Sequence, residues 1–137
     1  MAFHRRPKYP HMGPQEQEIW DRFLVKYGHR FLRFEYDVRV GPGYDPGPRY
    51  PDYLRKMAIS LTQLRIDAVG YTEEEIWIFE VKPRAGRSML RQLLSYGYWY
   101  LKQYNPAKPV RLAGVCERID PNMVEVFRQR GIEIFLV

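Results

Sequence analysis

The chain contains one cysteine, Cys116, so no intrachain disulfide can staple its fold. That cysteine closes the apolar run Leu112 to Cys116, which predicts a small buried hydrophobe rather than a nucleophile. No apolar stretch approaches the roughly 18 residues that cross a bilayer. The segment Met1 to Pro14 also lacks the apolar core of a signal peptide, so the sequence predicts a cytoplasmic protein with no membrane partner. The three histidines, His4, His11 and His29, have no metal-ligand spacing. A phosphate-cradling glycine loop is missing too, because Gly41-Pro42-Gly43 is broken by proline and opens no helix; this argues against a nucleotide-driven enzyme. The last absence concerns charge. From Val81 to Cys116 there is no Asp or Glu, while Lys82, Arg84, Arg87, Arg91, Lys102, Lys108 and Arg111 all fall there. Such a stretch is either a solvated basic helix face or a field that attracts polyphosphate, with nucleic acid as its natural partner.

What is present describes one domain. The 137 residues are 45% hydrophobic and 28% charged, with a net charge of +6, which is globular composition. Residues 1–14 carry His4, Arg5, Arg6, Lys8 and three prolines and read as a flexible basic arm. Residues 15–137 then form the single folded domain. Ile19, Trp20, Phe23, Leu24 and Tyr27 recur at helical spacing from Gln15 to His29, with Gly28 at the end. Phe31 to Val40 alternates as a strand, with Leu32, Phe34, Tyr36, Val38 and Val40 on one face. Gly41 to Tyr53 holds three glycines and four prolines and predicts a long loop, followed by a short helical turn at Leu54 to Leu61. Strands at Gln63 to Tyr71 and Glu75 to Lys82 suit an antiparallel hairpin. Met89, Leu93, Tyr96, Tyr100 and Tyr104 stripe a long helix, Val110 to Cys116 is a buried strand, and Asp120-Pro121 opens a third helix that Gly131 caps. Ile132 to Val137 is the last strand. The order αβββαβαβ predicts an α/β fold with a mixed sheet flanked by helices.

The chemistry concentrates in Arg65-Ile66-Asp67-Ala68-Val69 and Ile78-Phe79-Glu80-Val81-Lys82. Side chains on a strand repeat every two residues, so Glu80 and Lys82 share a face while Val81 points to the core. Charges inside apolar strands are expensive to bury unless they pair or hold a cation. Two readings are open: an Asp67–Lys82 ion pair at a strand end, or a site for a hard cation, Mg²⁺ or Mn²⁺, on oxygen ligands. Pro51-Asp52 is a second candidate acid, but it sits in the loop, whereas Asp67 lies within a strand.

Asp67, twelve residues, and then Glu80-x-Lys82 resemble the D…(D/E)xK signature of the PD-(D/E)XK nuclease superfamily. Gln92-Leu93-Leu94-Ser95-Tyr96 is similar to the QxxxY motif that RecB-like members carry on the helix after that strand. The superfamily proline before the aspartate is Ile66 here. The resemblance covers roughly Gln15 to Cys116 and implies a restriction-endonuclease-like core and Mg²⁺-dependent hydrolysis of DNA, with Mn²⁺ as a substitute. It implies that Asp67, Glu80 and the Val81 carbonyl hold the metal, that Lys82 steadies the attacking water and the transition state, and that Gln92 and Tyr96 hold the strand backbone or orient Lys82. Glu16 lies on the core side of the first helix, where family members often add an acidic ligand; stabilisation of the helix N-terminus is the alternative. Glu18 instead shares a face with Asp21 and Arg22 and reads as solvated. Arg84, Arg87 and Arg91 are the expected nucleic-acid contacts. With no spare domain for reading sequence, cleavage directed by structure or by strand ends is expected. Compact relatives, phage-encoded ones among them, often act as homodimers or inside larger assemblies. The competing expectation is a non-catalytic nucleic-acid-binding or phage-assembly protein that keeps the fold.

Overall fold

The computed structural model describes Tyr9 and residues 11–137. Most of the basic arm expected over 1–14, His4 included, lies outside the described residues. Within its described part Tyr9 and Met12 are buried, and the Tyr9 hydroxyl donates to Asp21 Oδ1 at 3.0 Å, while His11 and Pro14 are exposed.

Helix α1 runs Pro14–Tyr27, with proline in the first turn, where its missing N–H leaves no gap in the hydrogen bonding. Ile19, Trp20, Phe23 and Leu24 are its buried stripe, as the spacing predicts. Gly28 is not left-handed (φ −57°); the chain tightens into a 3₁₀ turn, Gly28–Arg30, before strand β1, Arg33–Val40. The short turn expected at 54–61 is a full helix, α2, Asp52–Thr62. None of its residues is buried, and Tyr53, Met57 and Leu61 face outward, so its apolar stripe gave no core signal. Strands β2 (Leu64–Tyr71) and β3 (Ile76–Val81) come next, then a two-residue strand β4 (Arg84–Ala85) and helix α3 (Arg87–Tyr104). Asn105 ends α3 in the left-handed conformation. Strand β5 is Val110–Cys116, and β6 is the pair Arg118–Ile119. The Asp120 carboxylate accepts the Asn122 N–H and caps a 3₁₀ turn that leads into α4, Val124–Gln129; β7, Glu133–Leu136, ends the order. The expected αβββαβαβ therefore gains α2 between the first two strands and the small β4–β6 pair.

The main sheet has the order β1-β2-β3-β5-β7. β1, β2 and β3 pair antiparallel, whereas β3–β5 and β5–β7 pair parallel, so the sheet is mixed. One face packs Trp77, Phe79 and Val81 on α1, and the other packs Ile76 and Ile78 with Met89, Leu93 and Tyr96 of α3 and Phe127 of α4.

The sheet departs from regularity in two places near its acidic residues. The even-numbered residues of β1 do not share one face as the alternation predicts: Phe34 and Tyr36 pack on the α1 side and Val38 and Val40 on the α3 side, while Leu32, expected in the strand, precedes it and is exposed. The switch falls at Asp37, whose φ of +54° is a left-handed conformation that Asp tolerates and that breaks the two-residue period. The Asp37 carboxylate holds Arg65 of β2 by two hydrogen bonds of 2.7 and 2.8 Å, and β2 switches with it, Ile66 facing α3 and Ala68 facing α1. The second departure is a fork. β2 and β3 pair from Tyr71↔Ile76 to Ala68↔Phe79; beyond that, β2 continues along β1 while Glu80 and Val81 continue along Gly114 and Val115 of β5.

Candidate active site

Asp67 and Glu80 are the first residues past the fork, one on each diverging strand. The Val81 N–H, which no longer has a strand partner on that side, donates to Asp67 Oδ2 at 2.8 Å. A strand residue's N–H and C=O point to the same side, so the Val81 carbonyl opens toward the same gap. Both carboxylates are only 5% exposed, and they are the buried charged residues among those described. Lys82 Nζ lies 3.8 Å from Glu80 Oε2, so the ion pair forms along β3's own face, with Glu80 in place of the Asp67 partner that the ion-pair reading of the sequence expects. The expectation that Glu80 and Lys82 share a face while Val81 enters the core holds.

Helix α3 comes close enough to complete the pocket because two glycines thin its contact with β5. A Cβ on Gly114 would sit 2.3 Å from Met89 Sδ, and one on Gly97 3.1 Å from Leu112 Cδ2. That approach brings the Tyr96 hydroxyl to Glu80 Oε1, to which it donates at 3.0 Å. Tyr96 thus holds a carboxylate; the roles expected from the resemblance were the strand backbone or Lys82. Gln92, one turn earlier, lines the same cleft, and its buried Oε1 has no hydrogen-bond partner.

The electrostatics follow from burial. Desolvation, then the neighbouring Glu80 charge, pushes the Asp67 carboxyl well above the ordinary range, against the pull of the Val81 N–H. Desolvation also raises Glu80, opposed by the Tyr96 hydroxyl and by Lys82. The same dry, negative surroundings hold the Tyr96 phenol protonated, as a donor. Burial and mutual repulsion both disfavour the charged forms of this pair, so a cation held between the two carboxylates would favour their ionisation. Two carboxylates and a backbone carbonyl are the hard oxygen donors that suit Mg²⁺ or Mn²⁺.

These groups open into a cleft of about 430 Å³ whose walls also include Glu16, Arg84, His11 and Arg118. Glu16 faces the cleft from the first turn of α1, whereas Glu18 is exposed and pairs with Arg22, as expected. Among the described residues, however, no three His, Cys, Asp or Glu groups cluster as a metal site, so Glu16 stands on the wall beside the Asp67–Glu80 pair. Arg87 and Arg91 lie outside this cleft in an adjoining hollow, with Arg84 shared between the two. Sequence reasoning passed over two wall residues. His11 has no motif around it and enters the cleft through a left-handed φ of +69°. Arg118 is delivered by the β4–β6 pairing, where it sits opposite Arg84; two-residue strands leave no periodicity to read. Asp52 of the loop "PD" is an exposed first-turn residue of α2, away from this cleft. Cys116 is buried, with its thiol pushed up to about 11 by desolvation, in keeping with a packing role.

No protein-family description, curated protein or solved structure matches the chain. No helix of the described residues is long and apolar enough to cross a membrane.

Proposed function

We propose that the protein is a divalent-metal-dependent nuclease that hydrolyses DNA phosphodiester bonds, with Asp67, Glu80 and Lys82 as the D…(D/E)xK triplet of a PD-(D/E)XK, RecB-like, restriction-endonuclease-like fold. The observation that carries this reading is the pairing of two almost fully buried carboxylates across a strand fork, with an ammonium 3.8 Å from one of them, in the wall of an open cleft that Arg84 and Arg118 also line. Structural ion pairs balance their charges, whereas this group is an acid pair with one partial counter-charge. Without a cation the pair holds on to protons that ordinary carboxylates release, and a buried acid pair that takes either a proton or a cation points to a metal ligand.

Asp67, Glu80 and the Val81 carbonyl would hold Mg²⁺, which when bound lowers the pKa of a water molecule and offsets charge on the phosphate. Lys82 contributes a fixed positive charge at the cleft and steadies the water and the developing negative charge on phosphorus. Tyr96 holds the Glu80 carboxylate in one orientation, so the donor set is in place before substrate arrives. Arg84 and Arg118 flank the same opening and favour a polyanionic substrate. With one compact domain described, cleavage directed by structure or strand ends fits better than sequence-specific cutting.

The test is cleavage of supercoiled plasmid and of single-stranded DNA with Mg²⁺ or Mn²⁺, with Asp67→Asn alongside. Cleavage that requires the metal and is lost in the variant is expected. DNA binding without hydrolysis under any divalent cation would instead make this a non-catalytic nucleic-acid-binding protein.

A further inference from the structure

Beside the acidic cleft lies a second hollow of about 460 Å³, lined by Arg84, Gly86, Arg87, Ser88 and Arg91. Its charge arrangement runs against helix stability. Arg87 and Arg91 occupy the first two turns of α3, where the helix dipole is positive, no acidic residue stands in the first turn, and Gly86 supplies no side-chain cap. Arg84 is partly neutralised by Asp120 at 3.0 Å, but among the described residues Arg87 and Arg91 have no carboxylate partner. The Arg84 guanidinium is seated over backbone: a Cβ on Gly86 would lie 3.3 Å from its Nη1. Three guanidinium groups line one hollow beside the positive end of a helix, so an anion placed there is attracted by all of them.

Because Arg84 lines both spaces, the hollow continues the acidic cleft and is not a separate surface feature. We infer that this hollow is a second phosphate subsite, holding a phosphate of the substrate strand that flanks the one at Asp67 and Glu80. The inference rests on the nuclease reading and makes it more specific: the preferred substrate is a strand with a further phosphate beyond the scissile one. Arg118, opposite Arg84 in the β4–β6 pair, lines the cleft and adds a further positive charge beside the residue the two spaces share.

The test is metal-free binding of a fluorescent oligothymidylate, followed by anisotropy across a salt series, so that it needs no turnover. Arg87→Gln/Arg91→Gln, both exposed positions, is compared with Arg30→Gln. Arg30 follows the far end of α1 from Glu16, on the order of 20 Å from the cleft by helix length. The double variant is expected to bind about tenfold more weakly, with a salt slope shallower by about 0.7 for one phosphate left without its arginines. Arg30→Gln should stay within roughly twofold. Equal weakening by the two variants, or no binding by the parent, would overturn the subsite. Circular dichroism checks that both variants fold. A 5′-phosphorylated strand separates the two sources of the anion: an affinity gain that the parent shows and the double variant does not means a terminal phosphate, and no gain in the parent means an internal diester. DNA cleaved normally while the double variant binds like Arg30→Gln would keep the nuclease and remove the subsite. The reverse, a shallower slope in the variant and no cleavage by the parent, would keep the subsite and remove the nuclease.

Discussion

Replacing Asp67 by asparagine should make the metal-free protein more stable while abolishing its response to divalent cations. In the parent, Asp67 and Glu80 are each 5% exposed, and both carboxyls are raised, chiefly by desolvation. The asparagine amide still offers an oxygen to the Val81 N–H, which lies 2.8 Å from Asp67 Oδ2 in the parent, but carries no charge to repel Glu80. Asp67→Ala lacks that oxygen and strands a buried N–H, which costs roughly 1–3 kcal/mol, or about 3–10 °C in a domain of this size. The alanine variant should therefore melt below the asparagine variant by that margin. The pH dependence has a definite sign. Above the ordinary carboxylate range the unfolded chain has released protons that the folded, metal-free protein still holds, so parent stability falls as pH rises toward the raised values. Asp67→Asn removes one such group and relieves the other, which flattens the slope. Calorimetry in EDTA and then in excess Mn²⁺ reads both effects. A cation at a hundredfold its Kd should stabilise the parent by about 2.7 kcal/mol and leave Asp67→Asn unmoved. An Asp67→Asn variant that melts well below the parent without metal, together with a parent that ignores every divalent cation, would show the carboxylates to be structural.

Lys82→Ala should retain Mn²⁺ binding by calorimetry yet lose roughly 10²–10³-fold in kcat, because a charge serving the transition state is removed while both carboxylates remain; unchanged turnover would refute its role. Tyr96→Phe removes the 3.0 Å hydrogen bond to Glu80 and should weaken Mn²⁺ binding by about 10–100-fold with little change in Tm; a large stability loss with normal metal affinity would make the tyrosine a packing residue. Gly114→Ala forces a Cβ to within 2.3 Å of Met89 Sδ and should cost about 1–3 kcal/mol by thermal denaturation, with Met89→Ala recovering part of the loss.

Much of the architecture was legible because local physics sets it. Ile19, Trp20 and Phe23 recur at a helical period whatever their surroundings, and Val110–Cys116, rich in apolar residues, is bounded by Pro109 and Glu117 and reads as a buried strand with correct limits. The Asp120 cap and the left-handed Gly131 (φ +66°) were also readable, since capping depends on a few neighbouring residues. Helix α2 was underestimated because its stripe faces solvent, so periodicity lacked the burial that normally accompanies it. The face of β1 was misread because one left-handed residue, Asp37, shifts the two-residue alternation without any mark in the pattern of residue types.

The candidate site divides along the same line. Spacing along one strand decides that Glu80 and Lys82 lie on one face, and spacing along one helix decides that Gln92 and Tyr96 do, because both periods are properties of the backbone alone. Tertiary structure decided which of these groups meet. The fork between β2 and β3 sets Asp67 beside the Val81 N–H, the thin contact at Gly97 and Gly114 brings Tyr96 to Glu80, and the β4–β6 pairing sets Arg118 opposite Arg84. The chain segments involved are 14, 16 and 34 residues apart, and contacts over such separations arise from packing that no local pattern encodes.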